Sequence, residues 1–223
     1  MKVSVIIPTY NEEEFIEKCL ESLKRQQKKA DEIIVVDNNS TDRTVEIANK
    51  YNVIVIKEPK QGIIAARNCG FNEAKHEIMA RIDADVIVPP DWIKKIKKNF
   101  STGQIDALSG PVIFYDLPLS ASYYTRFYLF IMKITQRGKE TMIGPNMALT
   151  KKIWQKIKND VCLNDKKVHE DIDLAIHINK AGGIIKIDKN LTIKASGRRI
   201  NSNPQSFFIE YPIRAFQTIF IHK

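Results

Sequence analysis

The N-terminal half of the chain alternates short β-branched runs with stretches whose apolar residues recur at helical spacing, which limits it to few architectures. Lys2 to Pro8 (KVSVIIP), Glu32 to Asp37 (EIIVVD), Asn52 to Lys57 (NVIVIK) and Glu77 to Ile82 read as strands. Glu12 to Gln27 carries Phe15, Ile16, Cys19, Leu20 and Leu23 at helical spacing, and Asp42 to Lys50 and Ile63 to Ala74 also read as helices. Thr41 or Asp42 is placed to cap the second helix, and Pro90 to open a further one, Asp91 to Phe100. Strands apolar on both faces, joined by helices, imply a parallel sheet with right-handed crossovers.

In such a sheet ligands sit beyond the carboxyl ends of the strands. That rule selects Pro8 to Glu12, Asp37 to Ser40 and Asp83 to Asp85, and places them along one crevice. The second half is less regular. Ile105 to Phe114 and Thr141 to Thr150 look strand-like, around an aromatic stretch at Tyr123 to Ile134. His169 to Ala181 reads as a helix stopped by Gly182-Gly183, and Ile184 to Ala195 as one or two strands. With no repeat, low-complexity segment or evident linker, one domain is expected over 1–223, in three parts: 1–100, 101–195 and an aromatic, basic tail, 196–223.

The balance of 35 basic against 26 acidic residues gives a formal charge of +9, which favours anionic partners or serves solubility. Cys19, Cys69 and Cys162 are scattered, which argues against a disulfide framework or a zinc site and for a reducing compartment. Lys2 precedes a short strand-like run rather than a secretory signal, and no window is long and apolar enough to span a membrane. A cytoplasmic protein is expected.

Asp83-Ala84-Asp85 interrupts an apolar run, and buried carboxylates are costly unless paired. Alternate residues of an extended chain point the same way, so both can face one ligand. Two hard oxygen donors suit Mg²⁺ or Mn²⁺, often bridged to substrate phosphates. Acid-x-acid pairs also arise by chance in solvated turns. The position at a strand's carboxyl end is what favours a ligand, and the cost is then offset by a cation and substrate rather than by a protein partner. Pro8-Thr9-Tyr10-Asn11-Glu12 reads as a helix N-terminus capped by Thr9 or Asn11, and Asp37 to Asp42 has the same reading, yet both could also hydrogen-bond a base and ribose.

Six segments, in order, carry a resemblance: VSVIIPTYNEE (Val3 to Glu13), IIVVDNNSTDRT (Ile33 to Thr44), AARNCG (Ala65 to Gly70), RIDADVIVPPDW (Arg81 to Trp92), GPNMAL (Gly144 to Leu149) and HEDIDLA (His169 to Ala175). The chain resembles a family 2 glycosyltransferase. The resemblance implies a GT-A fold: an α/β, three-layer architecture with a central, mostly parallel sheet. Its Rossmann-like half, 1–100, would bind a nucleotide sugar and 101–195 the acceptor. It implies that Thr9, Glu12, Asp37 and Arg67 bind the nucleoside of a UDP- or GDP-type donor, with Pro8, Tyr10 and Asn39 in the same loops. Asp83 and Asp85 match the family's DxD motif, with Ala84 between them and Asp85 as the direct ligand of Mn²⁺ or Mg²⁺. Glu170-Asp171 matches the acidic pair beside the acceptor, with Asp171 as the catalytic base. Gly144 and Asn146 fall on the acceptor side.

The residue types fit that chemistry independently. A leaving nucleoside diphosphate needs a cation, the incoming hydroxyl needs a base, and one base without a protein nucleophile implies inversion. Some relatives add a metal-ligating histidine near the C-terminus; here the segment is Ala195-Ser196-Gly197-Arg198-Arg199, and Arg198 and Arg199 are shaped to pair with a diphosphate. His169 is read as a surface residue. The tail, 206–223, mixes Phe207, Phe208, Phe216, Ile219 and Phe220 with Arg214. It is either a helix packed against the sheet or a peripheral membrane contact that reaches a lipid-linked acceptor; the resemblance leaves the hydroxyl acceptor as a glycan or a lipid-linked molecule.

Three alternatives compete. A sugar-nucleotide pyrophosphorylase would need glycines after the first strand, where PTYNE stands. A nucleic-acid-binding module would need a recognised basic motif, so no nucleic-acid partner is expected. A sugar-nucleotide-binding protein without turnover would not need the intact acidic motifs.

Overall fold

The computed structural model of the chain describes all residues but 118–120, 137, 203–204, 206–208 and 223; for 121–126, 128, 199 and 201 it describes the backbone alone. The strands β1 (Val3–Thr9), β2 (Glu32–Asp37), β3 (Ile54–Lys57) and β4 (Ile78–Arg81) run parallel. They join β6 (Ala107–Ser109), β8 (Met147–Thr150) and β9 (Ile185–Ile187) in a seven-stranded sheet of order β3-β2-β1-β4-β8-β6-β9. Only β8 is antiparallel to its neighbours, so the expected α/β, mostly parallel sheet is present. A second sheet pairs β5 (Val86–Ile87), β10 (Ile193–Ala195) and β7 (Val112–Phe114).

The period of two along β1 sorts the core into layers. Val3, Val5 and Ile7 face α1 (Ile16–Lys24), α2 (Thr44–Ala48) and α4 (Trp92–Thr102) through Ile16, Leu20, Ala48, Trp92 and Ile96. Ile6, with Ile34 and Val36 of β2, faces α3 (Ile63–Glu73), α6 (Lys151–Ile157) and α7 (Glu170–Lys180) through Ala66, Trp154 and Leu174. Each aliphatic side chain so buried stabilises the fold by about 1.5–3 kcal/mol before chain entropy is counted.

Three local departures from the sequence reading matter. The helix read from Glu12 begins at Ile16, and neither Thr9 nor Asn11 caps it. Thr9 Oγ1 donates to the Val36 carbonyl, and Asn11, at φ +53°, accepts the Thr41 N–H on Oδ1 at 2.8 Å. With Glu12 N–H donating to Thr44 Oγ1 at 2.7 Å, the loops after β1 and β2 are sewn to each other. The cap position of α2 falls on Arg43 rather than on Thr41 or Asp42, although Asp42 Oδ1 accepts the Thr44 N–H at 3.0 Å. The run Ile105 to Phe114 is two strands in different sheets, broken at Gly110-Pro111, and a Cβ on Gly110 would sit 2.2 Å from the Leu191 carbonyl oxygen.

The tail forms α8 (Arg198–Ser202) and α9 (Tyr211–Ile221). Ala215 and Ile219 of α9 pack on Ile172 of α7 and on Met132 of α5 (Ala121–Thr135), rather than on the sheet. Phe207 and Phe208 lie outside the described residues.

Candidate active site

Parallel pairing aligns the strand ends that carry chemistry. Thr9 pairs with Asp37 and Ile6 with Arg81, so the loops after β1, β2 and β4 leave from one edge of the sheet. Antiparallel β8 enters at that edge with Met147 opposite Arg81, which brings Gly144 to Asn146 alongside. A cavity of about 250 Å³ opens there, lined by Asp83, Asp85, Gly144, Glu170 and Asp171, with His169 and Arg81. Its far wall comes from Tyr211, Pro212 and Arg214 of α9.

The two aspartates are not bare, which corrects the expectation that only a ligand would balance them. Asp83 Oδ1 accepts from Arg81 Nη2 at 2.6 Å, and Asp85 Oδ2 lies 3.3 Å from Arg198 Nε. Arg198 reaches Asp85 because β10 pairs antiparallel with β5, Ala195 opposite Val86, and the Ser196 N–H donates to the Asp85 carbonyl at 3.2 Å. The same guanidinium grips both carboxylate oxygens of Glu12 and stacks 4.2 Å from the centre of the Phe15 ring. Glu12 and Asp85 are thus joined through an arginine. The Arg199 side chain is outside those described.

Arg81 also holds Glu170 Oε1, while Glu170 Oε2 is held by Arg67. Burial works against the Arg81 cation, but Asp83, Glu170 and Asp171 outweigh it and raise its pKa. This linkage revises two roles. Arg67 is fully buried, with Nη1 on Glu170 and Nε and Nη2 on Asn68, so it does not present its guanidinium to a nucleoside. Glu170 lines the cavity, but as the bridge between two arginines.

Asp171 starts α7. Its Oδ2 accepts the Gly144 N–H at 2.9 Å and its Oδ1 meets His169 Nδ1 at 2.5 Å. Burial alone would raise the carboxyl's pKa; His169, the Gly144 N–H and Arg81 instead hold it below the usual carboxylate range. Burial likewise opposes the His169 cation, yet Asp171 beside it raises its pKa. His169 is therefore not a surface residue: its N–H donates to Thr218 Oγ1 of α9 and its ring meets Tyr211 edge-on.

Asn146 does not serve the acceptor side. It is fully buried, accepting from Trp92 Nε1 at 3.0 Å and donating to the Leu191 carbonyl, which makes it an internal bracket. Gly144 is closely packed: a Cβ there would meet Arg81 Nη1 at 2.6 Å, and the Arg81–Glu170 pair would have to shift. Pro8 and Ala84 are buried in their backbones' run, whereas Tyr10 is exposed beside the crevice. Asp37 Oδ1 accepts the Ser40 N–H at 3.0 Å, and Asn39, at φ +69°, donates to the Pro59 carbonyl. Asp83 and Asp85 still offer this cavity the hard oxygen donors that Mg²⁺ or Mn²⁺ takes; Arg198 beside Asp85 is partly exposed, whereas Arg81 beside Asp83 is buried.

The model of glycosyl transferase family 2 matches residues 4–157. The glycosyltransferase AglE of Haloferax volcanii is 34% identical over 167 residues, 71% of this chain and 53% of that protein. The chain thus spans about half the length of that relative, and 20% of another, the glycosyltransferase GlyA of Streptococcus pneumoniae. Among solved structures, glucosyl-3-phosphoglycerate synthase of Mycobacterium tuberculosis with Mn²⁺, UDP and glucosyl-3-phosphoglycerate matches with a TM-score of 0.72 at 17% identity, covering 99% of this chain and 79% of that one. Such likeness carries the fold, which is GT-A. Family match and fold agree: the chain belongs to glycosyl transferase family 2.

Proposed function

We propose that this chain transfers a sugar from a nucleoside-diphosphate sugar to a hydroxyl acceptor, with inversion at the anomeric carbon and a divalent metal. The observation that carries this reading is Asp171: a buried carboxylate, held by Gly144 and His169, lining the same cavity as Asp83 and Asp85. The UDP and Mn²⁺ held by the mycobacterial synthase named above support it by likeness.

Asp171 takes the acceptor hydroxyl's proton as the new bond to the anomeric carbon forms. The bond to the diphosphate oxygen breaks, and its electron pair leaves with the nucleoside diphosphate. The His169–Asp171 contact orients the base, and the Gly144 N–H fixes its other oxygen. Asp83 and Asp85 would hold Mn²⁺ or Mg²⁺, which supplies charge stabilisation to the leaving diphosphate. Arg198, released from Asp85, becomes a cation for that same diphosphate. Glu12, Asp37, Tyr10 and Asn39 form the polar rim for the nucleoside.

The acceptor is a hydroxyl on a glycan or on a lipid-linked molecule. Phe127 and Phe130 of α5 and Ile213, Phe216 and Phe220 of α9 are exposed, which supports a peripheral contact with the cytoplasmic face of a membrane. No helix among the described residues is long and apolar enough to cross one.

A thermal-shift screen of UDP- and GDP-sugars tests the proposal, because ligands that bind the native state raise its melting temperature. One nucleotide sugar should raise it with Mn²⁺ and much less in chelator. Absence of a shift with every sugar nucleotide contradicts a donor site.

A further inference from the structure

On the side of α7 turned to the tail, two side chains of α7 and one just past the end of α9 converge. We propose that Asp173, His177 and His222 bind a divalent transition metal of the zinc class, fastening the end of α9 to α7. Asp173 and His177 are four residues apart on α7 and so share one face. His222 follows the last residue of α9 and is brought there by Ala215 and Ile219 packing on Ile172.

The donor atoms are arranged for an ion. Asp173 Oδ1 lies 2.7 Å from His222 Nε2 and 3.6 Å from His177 Nε2, and the three ligand atoms all lie within 4.8 Å of one another. Tetrahedral zinc, with bonds of about 2.0–2.1 Å, sets its donors roughly 3.3 Å apart, so small side-chain rotations suffice. The separation of 3.6 Å is too long for a hydrogen bond. It leaves His177 Nε2 buried with no hydrogen-bond partner among the described residues, and facing a carboxylate.

The carboxylate is prepared as a ligand. Asp173 is fully buried, and its Oδ2 accepts the Cys162 N–H at 3.0 Å, which orients Oδ1 toward the two imidazoles. Burial opposes its charge, but His177, His222 and the Cys162 N–H hold its pKa below the ordinary carboxylate value. Two imidazoles and one carboxylate select Zn²⁺, Co²⁺ or Ni²⁺, unlike the all-oxygen pair Asp83 and Asp85, which suits Mg²⁺ or Mn²⁺. The consequence is positional. Tyr211 and Arg214 of α9 wall the cavity, and Asp173 lies two residues beyond Asp171, so an ion here pins that wall to the helix bearing the proposed base.

Co²⁺ is the probe, added to the 223-residue chain carrying Asp83→Asn and Asp85→Asn to silence the oxygen pair. One equivalent should bind with the intense visible absorption of tetrahedral cobalt, Zn²⁺ should displace it, and Zn²⁺ should raise the melting temperature by several degrees. His222→Gln, near the end of the last helix, and His177→Gln should each abolish the band and the shift while circular dichroism stays native. A protein with no tetrahedral band, or a band and stoichiometry unchanged in a folded His222→Gln variant, overturns the site and leaves a hydrogen-bonded cluster only.

Discussion

Arg198 Nε lies 3.3 Å from Asp85 Oδ2, and the same guanidinium is clasped by Glu12, so a side chain of the C-terminal segment stands on a carboxylate that a divalent ion would use. An ion bound there would compete with this arginine for Asp85. Arg198→Ala should bind Mn²⁺ several-fold tighter in the absence of donor, because the competing cation is gone. With donor it should lose at least about tenfold in kcat/KM, because the diphosphate loses that cation. Calorimetric titration of Mn²⁺ and steady-state kinetics separate the two; unchanged Mn²⁺ affinity would show that the pair does not guard the site.

Gly144 is packed between charges. In Gly144→Ala the new Cβ would stand 2.6 Å from Arg81 Nη1 and 2.9 Å from Glu170 Oε1. The variant should lose about 1–3 kcal/mol of stability, the usual range for overpacking. Its kcat should fall more than its KM rises, because the Gly144 N–H positions Asp171. Urea denaturation and kinetics check this, and wild-type behaviour in both contradicts the packing.

The His169–Asp171 pair predicts a pH window. His169's raised pKa contributes stability that is complete below its ordinary value of 6.5 and is lost as pH rises through the raised, folded value. Asp171's lowered pKa contributes stability present above its ordinary value of 3.8 and lost as pH falls through the lowered, folded value. The melting-temperature gap between wild type and His169→Gln should therefore be widest between 3.8 and 6.5 and shrink at alkaline pH. A gap that does not vary with pH would mean the contact is not an ion pair.

Asn146→Ala should act on stability alone. It strips the partner from Trp92 Nε1 and from the Leu191 carbonyl, and each buried group left unpaired costs about 1–3 kcal/mol. The KM for acceptor should stay within about twofold of wild type once the protein is folded. A selective rise in that KM would restore Asn146 to the acceptor side.

What was legible in the sequence is what has a local period. Val3, Val5 and Ile7 against Ile6 announce a strand buried on both faces, and the strand ends then place PTYNE, DNNS and DAD on one edge. Partners far apart in the chain leave no such trace. Arg198 and Glu12 are 186 positions apart, and it takes the strand pairing of β10 to bring them together. Arg81 stands inside a quoted motif, yet nothing local marks it as the buried hub between Asp83 and Glu170. His169 looked like a surface residue because the packing of Thr218 and Tyr211 on it depends on where α9 docks. Asn146 is polar, and sequence alone does not separate a ligand-facing amide from one that satisfies an indole and a carbonyl inside the core.

The most direct test of the account is Asp171→Asn, assayed for nucleoside-diphosphate release in Mn²⁺ with the donor found by the thermal screen. Turnover should fall by about 10²-fold or more, as for loss of a general base, while donor affinity stays near wild type. Normal turnover in a folded Asp171→Asn protein would place the base elsewhere and contradict the proposed mechanism.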